Sequence, residues 1–268
     1  MEKIIDRFIA IIEDVAKGNY NVDIMEFTGP SHSSWVRRAA EAMAMMMVKV
    51  EVRELRLEGL VEELRVANDR LRENIVQTVT SIAMALSARD KESSGHAERV
   101  AVYAARLARR AGLSPRDVEF VRLGGLLHDV GKIGFSDKLF RNEDSNPSPE
   151  LWEEIHRHPA IGAGIVQGLD FLGPAADYIL SHHERLDGRG YPRGLKGEEI
   201  PLGARIIAVV DCYDAMTTDR NYQKGKTPEE AASILRGLRG VGLDRDLVDA
   251  FLAGLAEGEE PAPVQGKN

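Results

Sequence analysis

The sequence predicts an all-α protein: a helical bundle with an irregular Gly-rich loop, preceded by an N-terminal helical and coiled-coil dimerisation region. Three observations carry this. Apolar residues recur at helical spacing over most of the chain. Aromatic residues make up only 6%, which disfavours a large all-β sandwich. From Met43 onward, apolar positions alternate four and three residues apart, the spacing of a heptad repeat.

The composition excludes several function classes. The chain has 268 residues, enough for one large domain or a domain with an accessory segment. With 43% hydrophobic and 29% charged residues it is ordinary for a soluble protein. A net charge of −8 argues against a general nucleic-acid binder, so no DNA partner is expected. Cys212 is the single cysteine, so neither an intrachain disulfide nor a thiolate zinc site is expected. The longest apolar run, Ala42 to Val48, falls far short of a membrane span, and acids interrupt the N-terminal apolar residues. A cytoplasmic location without a membrane span follows as the expectation.

The elements are read in order. Ile4, Ile5, Phe8, Ile11, Ile12 and Val15 place a helix over 3–17, which Gly18-Asn19 stops. Residues 19–34 form a connector broken at Gly29-Pro30, and Ser33 or Ser34 caps the next helix. The heptad positions are Met43, Met47, Val50, Glu54, Leu57, Val61, Leu64, Asn68, Leu71, Ile75, Thr78, Ile82 and Ala85. A period of 3.5 asks for a partner helix, and Asn68 at the seam can set its register; one long amphipathic helix folded onto its own domain is the alternative. Met45, Met46 and Met47 are read as dimer core. Helix, Gly-Asn-Tyr connector and second helix over residues 1–50 resemble a HAMP signal-relay module, with Ser31-His32-Ser33-Ser34 in place of its usual acidic pair.

Further helices are expected over Ala97–Ala111, ended by Gly112, and over 118–133, 149–169, 173–183, 203–218 and 228–238. A Gly/Pro-rich loop lies between Asp187 and Pro201.

The chemistry lies in the histidines, six of seven of which fall between His96 and His183. His128-Asp129 follows an apolar stretch, where an ionised carboxylate is costly unless a cation compensates. His182-His183 end another apolar stretch, and His158 precedes Pro159. His96 heads an apolar stripe, with Glu92 one turn earlier, and Asp211 interrupts Ile206 to Val210. Glu92, His96, His128, Asp129, His158, His182, His183 and Asp211 thus make eight potential N/O ligands. Imidazole and carboxylate without sulfur suit iron, manganese or zinc, and eight ligands exceed what one ion needs. Neighbouring helix positions diverge by about 100°, so His182 and His183 both serve one site only if it holds more than one ion. Lys132, four residues after His128, is expected on the same face. His32 and His156 are read as surface residues, Cys212 as a small buried side chain, and Arg189, Arg193 and Lys196 as solvated charges.

His96, His128-Asp129 and Asp211 resemble the HD superfamily of metal-dependent phosphohydrolases. The run His182-His183-Glu184-Arg185-Leu186-Asp187-Gly188-Arg189-Gly190-Tyr191-Pro192, then Gly194, Gly197 and Ile200-Pro201, is similar to the HD-GYP subfamily signature, and His158-Pro159, Gly162, Asp214, Ala215 and Arg220 fit it as well. The resemblance covers residues 78–255. The polar residues 257–268, with Pro261 and Pro263, are read as a disordered tail, and the heptads as a coiled-coil linker at 51–85 after a HAMP-like or other regulatory segment at 1–50; the resemblance implies an HD-type helical bundle with a GYP loop over 86–256. It implies a phosphodiesterase that hydrolyses cyclic di-GMP to pGpG, with GMP as a further product. Two or three metal ions are implied, iron or alternatively manganese, the third held by Glu92. Asp129 would bridge two ions and act with Lys132 in catalysis; Lys132, Gly190, Tyr191, Arg220 and Tyr222 would contact substrate. Tyr191 would stack on a guanine or shape the pocket. A homodimer joined by the coiled coil and an upstream signalling partner complete the expectation. Asn221 and Gln223 depart from the family pattern, as does the stretch Phe140 to Asn146, expected as a lid-side loop. The rival readings are a cyclic-dinucleotide sensor or adaptor, and an enzyme for another cyclic dinucleotide.

Overall fold

The structure, a computed structural model, describes residues 2–20, 22–89, 95–141, 147–219 and 224–258. Among them there is no β-strand, only the isolated bridges Asp187–Lys196 and Arg239–Leu243, so the all-α prediction holds. The chain divides into two compact units, Met1–Glu73 and Asn74–Asn268. No described helix is long and apolar enough to cross a membrane.

In the first unit, helix α1 (Glu2–Ala16) ends at Gly18, whose φ of +85° suits glycine. A 3-10 turn (Met25–Thr28) leads into α2 (Ser34–Arg89), a single helix of 56 residues. Ile11, Ile24, Phe27, Val36, Ala40 and Met47 are buried together, with Met43 and Ala44 packed against them. Part of the methionine run therefore faces its own chain. Met47 is a core residue of this unit, while Met45 and Met46 are exposed. The heptad seam further along behaves differently: Leu57, Val61, Leu64 and Leu71 are 59–70% exposed.

The second unit gathers the histidine and aspartate motifs. Its helices are α3 (His96–Arg110), α4 (Pro115–Leu127), α5 (Asp137–Arg141), α6 (Pro149–Val166), α7 (Ala175–Ser181), α8 (Leu202–Thr217), α9 (Pro228–Leu238) and α10 (Arg245–Ala256). Ser114, Ser148 and Thr227 each cap a helix whose first residue is proline, a ring that fits where no N–H is needed. Helix α8 is central: it packs on α3, α4, α7, α9 and α10, and Ile206, Ile207, Val209 and Val210 are wholly buried. Full burial of each such side chain contributes about 1.5–3 kcal/mol. That burial fixes α8 and with it Asp211, the next residue.

Several boundaries differ from the sequence reading. The helix expected over 118–133 stops at Leu127, and Val130–Gly134 is a 3-10 turn. The helices expected to reach 169 and 183 end at Val166 and Ser181. Helix α10 and the short α5 were not anticipated. The early stop after Leu127 has a packing cause. A Cβ at Gly131 would overlap the carbonyl oxygen of His158 and stand 2.6 Å from the Gly162 nitrogen. The 3-10 turn thus crosses α6 backbone to backbone, at two glycines.

Candidate metal centre

Seven of the eight proposed ligands converge within the second unit; Glu92 lies outside the described residues. Helix ends and turns deliver most of them. His96 opens α3, His128 caps α4, His158 sits mid-way along α6, His182 and His183 follow α7, and Asp211 projects from α8.

Each buried imidazole is oriented by its Nδ1. Those of His128, His158 and His182 donate to the carbonyls of Gly125, Ile155 and Ile179, each three residues earlier, at 2.8, 2.7 and 2.6 Å. The Nδ1 of His96 donates to Asp214 Oδ2 at 2.7 Å. Each donor therefore leaves its Nε2 as the atom facing inward, the second-sphere pattern of metal-binding histidines.

The inward atoms form two groups. His96, His128 and Asp129 make one, and His158, His182 and His183 the other, with the ligand atoms of each within 4.8 Å of one another. Asp211 joins the first: its Oδ1 lies 3.3 Å from His96 Nε2 and 3.7 Å from His128 Nε2. Asp129 stands between the groups. Its Oδ2 is 3.3 Å from His128 Nε2, and its Oδ1 is 3.5 Å from His158 Nε2. Lys132 Nζ is 2.9 Å from the same Oδ2.

The donor set fits cations. In the second group, the Nε2 atoms of His158 and His182 are 3.3 Å apart. With both Nδ1 protons committed to carbonyls, two lone pairs face each other, an arrangement that needs a positive charge between them. Burial disfavours a proton there. It holds His158 below the ordinary imidazole range and His182 well below, and it brings His183 down to about 4. The first group is electrostatically opposite. Burial lowers His96, but the Asp211 and Asp214 carboxylates outweigh it and raise the imidazole to about 9. Asp129 and Asp211 are pushed up by burial yet held well below the carboxylate range, Asp129 mainly by His128 and Lys132 and Asp211 by His128 and His96. One group thus offers bare nitrogens and the other ionised carboxylates.

Four expectations need correcting. His182 and His183 do not diverge as helix neighbours, because α7 ends at Ser181; both reach the group formed with His158. Lys132 is not one helical turn beyond His128. It lies in the 3-10 turn and pairs with Asp129, three residues earlier. Arg193 is no plain solvated charge: its guanidinium donates to Ser181 Oγ at 2.6 Å. Gly190 lies against the backbone of Glu184 and Arg185 with no room for a Cβ, so the close approach there is to its own chain. Tyr191 lines the cavity; Arg220, Tyr222, Asn221, Gln223, residues 142–146 and 259–268 lie outside the described residues.

Three contributors escaped the sequence reading in their roles. Asp214, 2% exposed, takes the His96 proton and two hydrogen bonds from Arg99, at 2.6 and 2.9 Å. Its signal was a second carboxylate three residues after Asp211 in an apolar helix. Glu184 is buried and accepts the backbone N–H groups of Arg193 and Leu195 at 2.6 and 3.0 Å, pinning the Gly-rich loop. Phe135, with Leu139 and Ile155, forms an apolar wall of the cavity of about 360 Å³ that opens onto Asp129 and Lys132. Nothing in its spacing marks Phe135.

The chain is 36% identical over 204 residues to the cyclic di-GMP phosphodiesterase response regulator RpfG of Xanthomonas campestris pv. campestris, covering 75% of this chain and 54% of that protein. It is 32% identical over 184 residues to the 3'3'-cGAMP-specific phosphodiesterase 2 of Vibrio cholerae, covering 68% of this chain and 35% of the relative. It therefore spans about a third to a half of the length of these relatives. Among solved structures, Bd1817, a HDG"Y"P protein from Bdellovibrio bacteriovorus, superposes with a TM-score of 0.52 at 27% identity, covering 69% of this chain and 61% of that one. The HD domain family matches residues 80–247, the span from which every described ligand comes, and the chain belongs to that family.

Proposed function

We propose that this chain is a metal-dependent phosphodiesterase that opens cyclic di-GMP to the linear dinucleotide pGpG, with GMP as the product of a second cleavage. The observation that carries the reading is the convergence of bare imidazole nitrogens and two ionised carboxylates on a cavity that also holds a lysine. The similarity to phosphodiesterases named for cyclic dinucleotides supports the substrate class.

His96, His128, Asp129 and Asp211 would hold one metal ion, and His158, His182 and His183 with Asp129 a second; Glu92 is the candidate ligand for a third. Iron, or alternatively manganese, suits these N/O donors. Bound ions of this kind supply activated water and neutralise phosphoryl charge. The chain's own groups do the rest. Asp129 presents one oxygen to each histidine group and so sets their separation. Lys132, held beside Asp129, brings a positive charge to the cavity where a phosphodiester's negative oxygens would lie. The Phe135, Leu139 and Ile155 wall offers a dry surface for a base or ribose. Arg220 and Tyr222 remain proposed substrate contacts.

We also propose that a second copy covers the exposed seam of Leu57, Val61, Leu64 and Leu71, pairing α2 with its counterpart in a homodimer that passes a signal from an upstream partner. Leu64→Lys is expected to yield a monomer in sedimentation equilibrium; a monomeric wild type would refute the pairing.

The deciding assay mixes purified protein, reconstituted without oxygen with Fe(II) or Mn(II), with cyclic di-GMP, and follows products by chromatography. Turnover with loss of activity in Asp129→Ala supports the reading. Tight binding without turnover under any metal would leave a sensor in its place. The Vibrio relative named for 3'3'-cGAMP makes that dinucleotide the second substrate to run alongside. Faster turnover of it would move the specificity while keeping the chemistry.

A further inference from the structure

The Gly-rich loop is fixed through its backbone. Glu184 receives the N–H groups of Arg193 and Leu195, and Tyr191 donates its own N–H to the His183 carbonyl at 3.2 Å. These bonds set where Tyr191 leaves the chain. They do not set its χ angles, and the ring has to be held by its neighbours.

Two rings hold it. Tyr191 lies 4.8 Å from His183, with 31° between the planes, and 4.1 Å from His156, with 30° between them. His156 belongs to neither ligand group, does not line the cavity, and is exposed at its outer edge. Trp152, one turn earlier on α6, follows 5.6 Å from the His156 ring. A row of four rings thus runs from the helix surface to the metal centre. Tyr191 thus stacks on His156 and leans on His183 while lining the cavity, which favours its reading as a shaped wall.

We propose that His156 is a positioning residue, whose stacked ring holds Tyr191 against His183 and keeps that wall of the cavity in place. The kinetic consequence rests on the phosphodiesterase reading; the structural one does not. A stacked pair of this kind is worth about a two- to tenfold difference in equilibrium population.

The test uses the full chain with His156→Ala, His156→Asn and His156→Phe. The first readout needs neither metal nor substrate: nitration of Tyr191 by tetranitromethane, followed by peptide mass spectrometry, with the buried Tyr103 and Tyr213 as fold controls. Ala and Asn should raise Tyr191 nitration about two- to tenfold, while Phe, which can still stack, should hold it at the wild-type rate. Unchanged nitration in Ala, or Asn behaving as Phe does, overturns the proposal. If Tyr103 and Tyr213 also react faster in Ala, that variant has lost its fold, and the Asn–Phe pair decides. The second readout is turnover of cyclic di-GMP. A fall in kcat in Ala and Asn, regained in Phe, with metal content unchanged, is expected. A wild type that turns over no dinucleotide sinks the phosphodiesterase reading and leaves the nitration result to judge His156.

Discussion

Gly131→Ala is the sharpest test of how the centre is assembled. The added methyl would meet the His158 carbonyl and stand 2.6 Å from the Gly162 nitrogen, about 0.8 Å inside the 3.4 Å at which ordinary contact begins. Both obstacles are backbone, so no side chain can swing aside. The 3-10 turn and α6 must part by at least that distance. Asp129 and Lys132 ride on or beside the turn, and His158 rides on α6, so the 3.5 Å separation of Asp129 Oδ1 from His158 Nε2 must grow. Overpacking of this kind costs about 1–3 kcal/mol. For a domain of this size, about 2 kcal/mol lowers Tm by about 4–8 °C. A misplacement near 1 Å in a catalytic constellation costs about 100-fold in rate. The expected result is thus a folded variant with a modestly lower Tm, about 100-fold lower turnover and reduced metal occupancy by elemental analysis. A variant with wild-type Tm, occupancy and turnover would refute the backbone crossing as the device that sets the two ligand groups.

Three further outcomes are expected. Asp214→Ala removes the acceptor of both His96 Nδ1 and Arg99, and second-sphere losses of this type weaken metal binding about 10- to 100-fold; a competition titration with a chromogenic chelator that shows unchanged affinity would count against it. Addition of Mn(II) at about 100 times its Kd should stabilise the chelator-stripped protein by about 2.7 kcal/mol in thermal unfolding, and His182→Ala should remove that gain; equal gains in both proteins would deny His182 a ligand's role. Burial and the Asp211 carboxylate raise the Cys212 thiol to about 11, so its reaction with a disulfide reagent should be slow at pH 8 and climb about tenfold per pH unit toward that value; a rate that levels off near pH 8.5 would show an ordinary thiol.

Much of the site was legible because its residues break an apolar pattern. His128-Asp129 after Leu126-Leu127, His182-His183 after Ile179-Leu180, and Asp211 after Val210 each put costly polar groups where burial was already predicted. Local periodicity identifies such conflicts without knowing what resolves them. The same periodicity misjudged helix ends. It carried α4 on to Ile133 and α7 to His183, since Gly131 and the two histidines look tolerable in a helix taken alone. Tertiary contacts cut both short, and those early stops turn Lys132 onto Asp129 and bring both neighbouring histidines into one group.

The sequence by itself determined the all-α class, the polar breaks in the apolar pattern and the heptad spacing along α2. These follow from residue type and spacing, which act over a few turns of chain. Only the tertiary structure decided which oxygen of Asp129 faces which histidines, that Asp214 orients His96, that Glu184 pins the Gly-rich loop, and that His156 stacks on Tyr191. Most of those join residues well separated in the chain. Their pairing depends on how helices and turns pack together, and a packing arrangement has no period to read.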